Sequence, residues 1–315
     1  MINICIYCNP NYSKEHRIQS SDKSIDLVSQ AIILYNSINK NWKNLDYDIY
    51  LFRNKNIKWS KTDENRINKL LNLNVIDVEF PDHPRLPWQT RIPCFTYPLN
   101  RIGSHRLVLD CDMIALNEPS FDLSCDWQAM FSPNANLPHF GRKGRHRFIE
   151  NCGQSKKSLN CIDTFIKNHN IYALVSSDID QNTKKDKLHI DYNKDKNIWR
   201  KLFPVFNMGA LLIKEQLCKD FAINYEKGYK ITFEGIRIVR HSGIEFIASF
   251  ILLKLSSNWK PFEPGFNYLS SLFSLEYTKK NLNTISLIHY ANTPKRNGYK
   301  YLSNIDNSYL FNNFL

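Results

Sequence analysis

Three pairs of aspartates stand one residue apart in this chain: Asp46/Asp48, Asp110/Asp112 and Asp178/Asp180. Two carboxylates at this spacing make a hard-oxygen clamp for Mg2+ or Mn2+, and such a cation can bridge to a diphosphate. The same spacing also suits turn aspartates, one of them capping a helix, so the surroundings must decide. Asp46 and Asp48 open the apolar run "DYDIYLF", at the N-terminal end of a strand pattern. Asp178 and Asp180 lie in a polar, charged stretch that reads as a solvated loop. Only Asp110 and Asp112 follow an apolar run, in "HRLVLDCDMIAL" (105–116). An extended backbone aims Asp110 and Asp112 to one side and Cys111 to the other. Ligands of open α/β sheets bind beyond the carboxyl ends of strands. A carboxylate is costly to bury alone, so a cation, an ion-pair partner or a helix N-terminus is expected beside this pair.

The elements that must position the pair follow from the hydrophobic pattern. "INICIYC" (2–8) reads as a buried strand that opens into the loop "NPNYS". "SIDLVSQAIILYNSI" (24–38) places Ile25, Val28, Ile32 and Tyr35 on one helical face. Strands follow at 46–52 and 74–80, with a helix at 62–71 between them. This alternation predicts right-handed crossovers and a mostly parallel sheet. Residues 81–100 are proline-rich and predict a helix that begins after Pro87 and is perturbed by Pro93. Residues 106–116 read as a fourth, continuous strand and 127–132 as a fifth. Residues 133–200 turn polar and read as a large insertion, partly helical around 157–169. The strand pattern returns in "VFNMGALLI" (205–213), a buried helix in 243–255 and a last strand in "TISLIHYA" (284–291).

Composition bounds the function. At 315 residues and 43% hydrophobic content, the chain is long enough for one large α/β domain. The formal charge of +12 favours anionic partners, whether nucleotides, phosphorylated glycans, nucleic acid or an acidic membrane surface, without choosing among them. No run approaches the length of a membrane span, and the start "MINICIYCNP" is too polar downstream for a secretory signal. The eight cysteines are scattered, which fits a reducing, cytoplasmic setting. Cys5 and Cys8 read as buried small hydrophobes.

Four segments together resemble a known family. "IYCNPNYS", "HRLVLDCDMIAL", "FNMGALLI" and "LIHYANTPK" are similar, in that order, to the nucleotide loop, the D-x-D strand, the Asn-x-Gly strand and the C-terminal histidine segment of GT-A nucleotide-sugar glycosyltransferases. The likeness is strongest to glycosyltransferase family 8. It implies a Rossmann-like, mixed but mostly parallel sheet flanked by helices, with the large insertion set into it. On this reading residues 1–132 are the nucleotide-binding half, 133–200 the insertion, 201–298 the acceptor half with the last metal ligand, and 299–315 a tail.

The resemblance also implies roles. Asp110, Asp112 and His289 would hold the metal, and an imidazole ligand suits Mn2+ better than Mg2+. Taken by itself, His289 reads equally as a hydrogen-bonded core histidine. Cys8, Asn9, Asn11 and Tyr12 fall where the family binds the nucleotide, with Tyr12 able to stack on the base. Arg91, with Arg85 as a fallback, matches a basic position near the sugar and phosphates. Cys111 and Gly209 belong to the donor-binding strands, and Lys295 would contact the diphosphate. Glu245 and Asn207 are the candidates for groups at the reacting sugar. The implied reaction moves a sugar from a nucleotide-diphosphate donor, of UDP type, to a hydroxyl of a saccharide or glycolipid, with retention. The basic loop "GRKGRHR" (141–147) points to an anionic acceptor. Contact with a membrane surface fits the charge; nucleic acid is not an expected partner.

Two other classes compete. A sugar-nucleotide nucleotidyltransferase would share the metal and diphosphate logic but would carry a glycine-rich basic loop after the first strand, where this chain has "NPNYS". A basic nucleic-acid-binding protein predicts basic residues interleaved with aromatics, and only "GRKGRHRF" fits.

Overall fold

The computed structural model describes residues 1–8, 27–56, 59–80, 91–131, 206–235, 241–263, 265–269 and 280–289. The insertion 133–200, its expected helix, the loop 141–147 and the tail 299–315 lie outside these residues. The chain divides into two compact units, one formed by Met1–Ser124, Gly209–Gln216 and Phe262–Leu315, the other by Cys125–Met208 and Leu217–Pro261.

The first unit is built on parallel strands. β1 (Ile2–Cys8) pairs in parallel with β2 (Tyr47–Asn54) on one side and β4 (His105–Leu109) on the other, and β2 pairs in parallel with β3 (Leu73–Val78). β7 (Phe206–Lys214) closes the order β3-β2-β1-β4-β7 and runs antiparallel to β4. The sheet is therefore mixed but mostly parallel, as the alternating pattern predicts. β1 and β4 are near-continuous runs of Ile, Cys, Leu and Val because both faces of a central parallel strand are covered. Helix α1 (Leu27–Asn41) lies against β1 and buries Val28, Ile32, Tyr35 and Ile38, together with Ile33 and Leu34. α2 (Lys61–Asn68) starts on an N-cap, Ser60, whose hydroxyl accepts the Asp63 N–H at 3.1 Å.

The segment 106–116 departs from expectation. It is not one strand. β4 ends at Leu109, residues 110–112 bend, and β5 (Met113–Ala115) joins a second sheet of order β5-β10-β9. Helix α1 explains the break. The Ser37 hydroxyl accepts the Ala115 N–H at 3.0 Å, Asn41 Nδ2 donates to the Ala115 carbonyl at 2.8 Å, and Trp42 Nε1 donates to the Asn117 carbonyl at 2.9 Å. These bonds draw the backbone after Asp112 out of the main sheet and onto the helix. In the second sheet β5 runs antiparallel to β10 (Leu287–His289), which runs parallel to β9 (Tyr268–Leu269). The last strand starts at Leu287, later than the expected 284, after a 3-10 turn over Leu282–Thr284; its expected end at 290–291 lies outside the described residues.

Of the helix expected in the proline-rich segment, α3 (Ile92–Thr96) is described, with Pro93 in its first turn, where its missing N–H costs nothing; residues 81–90, where that helix was expected to begin, lie outside the described residues. α3 is held to β4 by Arg106. This buried guanidinium forks onto Glu215, with Nε donating to Oε2 at 2.6 Å, and gives Nη1 to the Cys94 carbonyl at 2.9 Å. A buried arginine needs such complete pairing.

The second unit holds β6 (Trp127–Phe131) parallel to β8 (Trp259–Pro261), in the local order β7-β6-β8. Trp127 and Trp259 stack at 5.0 Å with an interplanar angle of 10°, and Phe206 meets Trp127 edge-on at 5.0 Å. Two helices complete it. α4 (Glu215–Gly235) was not expected from the pattern, and α5 (His241–Leu255) carries the apolar run that was. Ala248, Ser249, Ile251, Leu252 and Leu253 of α5 are buried.

Candidate active site

Asp110 and Asp112 stand at the carboxyl end of β4, on the bend between the two sheets. Asp110 still belongs to the main sheet, since its N–H donates to the Gly209 carbonyl of β7 at 2.8 Å. Asp112 adjoins Met113, and the antiparallel register pairs Met113 with His289. A pairing between strands more than 170 residues apart in sequence therefore brings the imidazole to the carboxylates. His289 Nε2 lies 3.3 Å from Asp112 Oδ1 and 3.9 Å from Asp110 Oδ2. One ligand atom from each of the three residues lies within 4.8 Å of the others. Asp110 and His289 are buried and Asp112 is half-buried.

The imidazole is oriented from behind. Its Nδ1 donates to Asn267 Oδ1 at 3.0 Å, and Asn267 is fully buried. That bond leaves Nε2 turned to the two carboxylates, the arrangement in which metal-ligating histidines are held. Asn267 adopts φ 56°, a left-handed conformation that asparagine tolerates. Gly265 makes this turn possible. A Cβ there would come within 2.0 Å of the Thr284 carbonyl oxygen, while the Gly265 carbonyl accepts the N–H groups of Ser286 and Leu287 at 2.9 and 3.1 Å. Glycine is the one residue that lets these two backbones touch, and their contact aligns Asn267 behind His289.

A second shell of charge adjoins Asp110. Arg91, only 4% exposed, forms an ion pair with Asp110 Oδ1. Its Nη2 also donates to the Tyr7 hydroxyl at 3.2 Å, and its guanidinium carbon lies 5.2 Å from the Tyr7 ring centre. Burial pushes the Asp110 carboxyl up to about 6, with Arg91 opposing that rise and Asp112 adding to it. Burial would raise Asp112 as well, but the charge and hydrogen bond of His289 outweigh it and hold that carboxyl below its usual range. His289 moves the other way: burial disfavours its cation, and Asp112 overcomes this and raises it. Two oxygen donors and one imidazole, converging in a largely buried corner, fit a divalent cation.

The remaining expected residues fall in three groups. Cys8 and Cys111 are both buried, and the Cys111 thiol points to Gln30 Oε1 at 3.8 Å on α1. Gly209 supports the Asp110 backbone through its carbonyl. In the second unit, Asn207 Nδ2 donates to Glu245 Oε1 at 2.9 Å, and the Ser249 hydroxyl ties the same two elements by accepting the Phe206 N–H at 2.8 Å and donating to the Glu245 carbonyl at 2.5 Å. Asn9, Asn11, Tyr12, Arg85 and Lys295 lie outside the described residues. Tyr7, Asn267 and Gly265 were not singled out from the sequence. Tyr7 was within reach, because it ends a strand next to the D-x-D strand; the other two depend on a register no local pattern announces.

The fold and the site together define a class: the chain has the GT-A glycosyltransferase fold. The crystal structure of the galactosyltransferase LgtC in complex with donor and acceptor sugar analogs superposes on it with a TM-score of 0.51 at 12% identity, covering 99% of this chain and 100% of that one. An active-site mutant of LgtC superposes with a TM-score of 0.51 at 11% identity, covering 96% and 95% of the two chains. No protein-family model and no curated protein sequence matches the chain. Among the described residues, no helix is long and apolar enough to cross a membrane.

Proposed function

We propose that this chain is a metal-dependent glycosyltransferase that moves a sugar from a nucleotide-diphosphate donor to a hydroxyl of a saccharide or glycolipid. The observation that carries the reading is the convergence of Asp110, Asp112 and His289 at the carboxyl end of β4, in a chain of GT-A fold. A UDP-type donor, Mn2+ or Mg2+, retention at the anomeric carbon and an anionic acceptor complete it, by resemblance. LgtC, a galactosyltransferase solved with donor and acceptor sugar analogs, supports a sugar donor and a sugar acceptor here. The reading includes a cytoplasmic protein working at or near a membrane surface; the described cysteines, all free thiols, agree with a reducing setting.

A divalent ion bound at this site supplies positive charge against the negative charge that grows on the departing diphosphate. Asp110 and Asp112 provide the anionic cradle, and His289 contributes Nε2 with its ring fixed by Asn267. Arg91 holds Asp110 in place, and its place near the donor's sugar and phosphates is assigned by resemblance. Lys295 is assigned to the diphosphate by resemblance alone. Glu245, oriented by Asn207, is assigned to the reacting sugar on the same ground. The test is a thermal-stability screen against several sugar nucleotides with Mn2+, followed by donor consumption. A donor that raises the melting temperature only with Mn2+, and is consumed by the native chain but not by Asp110→Ala, supports the reading. Absence of any such donor, or undiminished consumption by the variant, overturns it.

A further inference from the structure

The two oxygens of Asp110 have different neighbours. Oδ1 is taken by Arg91, whereas Oδ2 is the oxygen nearer His289, at 3.9 Å. The group that holds the arginine of this pair is Tyr7. Its hydroxyl accepts from Arg91 Nη2 at 3.2 Å, the same nitrogen that pairs with Asp110 Oδ1, while its ring lies 5.2 Å from the guanidinium carbon. The position follows from strand register. Ile6 of β1 pairs with Leu109 of β4, so Tyr7 and Asp110 are the next neighbours along two parallel strands. Tyr7 thus stands on the rigid centre of the sheet, next to a carboxylate that stands on the bend leaving it.

We infer that Tyr7 is a positioning residue for the metal site: it locks Arg91 onto Asp110 Oδ1 and thereby turns Oδ2 toward His289 and the cation. The inference rests on the metal reading of Asp110, Asp112 and His289, but assigns a role to a side chain outside those three ligands. A carboxylate with one oxygen anchored loses less rotational freedom on ligation, and groups that orient a metal ligand in this way change affinity by ~10–100-fold when removed. A planar guanidinium that lies over the Tyr7 ring while pairing with Asp110 is a geometry arginine offers and lysine does not.

The experiment is Mn2+ binding to the protein alone, without donor, measured by the electron spin resonance signal of free Mn2+ at pH 8. Tyr7→Phe keeps the ring and removes the hydroxyl. We expect Mn2+ affinity to fall about tenfold, the lower end of the range for such partners, with the melting temperature in the absence of Mn2+ unchanged. Arg91→Lys keeps the charge and removes the planar group over the Tyr7 ring; it should weaken Mn2+ in the same direction, and the double variant should lose less than the two single losses combined. If Tyr7→Phe fails to fold, Arg91→Lys alone carries the test, and unchanged Mn2+ affinity in it overturns the inference. Native chain binding Mn2+ with Tyr7→Phe equal or tighter overturns the inference and leaves the metal reading intact; tighter binding would make Arg91 a rival cation rather than a support. A native chain that binds no Mn2+ removes both.

Discussion

Two aspartate pairs of identical spacing sit at opposite ends of the same parallel strands. Asp46 and Asp48 lie where β2 begins, and Asp110 and Asp112 where β4 ends. At the first end each carboxylate meets a single exposed or half-exposed cation: Asp46 lies 3.4 Å from the Met1 amine and is 74% exposed, and Asp48 lies 3.3 Å from Arg101. At the second end Asp110 is drawn inward, while Asp112 is about as exposed as Asp48, and the two carboxylates share partners: Arg91 meets Asp110, His289 approaches both, Tyr7 holds the arginine and Asn267 stands behind the histidine. The difference comes from strand direction. Parallel strands need crossovers that leave from the carboxyl end, so the chain bends there and can deliver a side chain from a distant strand. The amino ends receive the returning loops and face solvent. Spacing alone therefore identifies a possible clamp, and topology decides which pair becomes one.

The largest test of this contrast exchanges function for position. Asp110→Ala and Asp112→Ala should each lower donor turnover by at least about 10²–10³-fold, the size of losing one preorganised electrostatic contact in a transition state. Asp46→Ala and Asp48→Ala should leave turnover within about twofold of the native rate on the surface-substitution expectation. Chelation of divalent ions should match the first pair. It should also abolish any Mn2+-dependent rise in melting temperature, a rise that a ligand at a hundredfold excess over its Kd sets at about 2.7 kcal/mol of stability. Equal losses from both aspartate pairs would break the comparison.

Much of the contrast was legible before the coordinates. The apolar run preceding Asp110 separates it from Asp46 and Asp178, and the resemblance singles out His289. The parallel alternation of β1, α1, β2, α2 and β3 also follows from period and punctuation. What escaped was non-local. The break after Leu109 depends on Ser37 and Asn41 of a helix 70 residues earlier, and nothing within "HRLVLDCDMIAL" marks it. Asn267 and Gly265 matter only because β9 and β10 pair in one register. The burial of Arg91 depends on Arg106 and Glu215 fastening α3 to β4. A lone arginine beside prolines carries no sign of this.

Those non-local supports give the next, smaller effects. Asn267→Leu removes the acceptor for His289 Nδ1 and should weaken Mn2+ by about 10–100-fold, read as a shifted binding curve; the equivalent change at Asn3, also fully buried but donating to the Arg101 carbonyl at the amino end, should leave Mn2+ affinity unaltered. Acid should sharpen the same contrast. Metal binding needs Asp110 as a carboxylate and His289 as a neutral imidazole. The first titrates near 6 and the second is raised above its ordinary value. Both groups take up protons as pH falls, so Mn2+ affinity should decline below neutrality and drop by about tenfold or more per unit below pH 6, one proton displacing the ion at each group. A flat affinity between pH 7 and 5 would mean the cation is held elsewhere.

The smallest expected effect lies at the other end of the sheet and is the sharpest statement about it. Asp48→Asn removes a carboxylate whose partner, Arg101, is 66% exposed. A screened pair of this kind contributes about 0–1 kcal/mol, so the urea midpoint should move little. High salt should reduce even that difference, because solvent-facing charges are screened over about 10 Å at 0.1 M. At the carboxyl end, Asp110→Asn should behave oppositely. It strands the buried Arg91 guanidinium without its anion, and an uncompensated buried charge costs about 3–5 kcal/mol when one partner is removed. Salt cannot reach that pair. The contrast between a salt-sensitive, near-silent amide substitution at one end and a salt-insensitive, costly one at the other separates aspartates that decorate a sheet from aspartates that the sheet encloses.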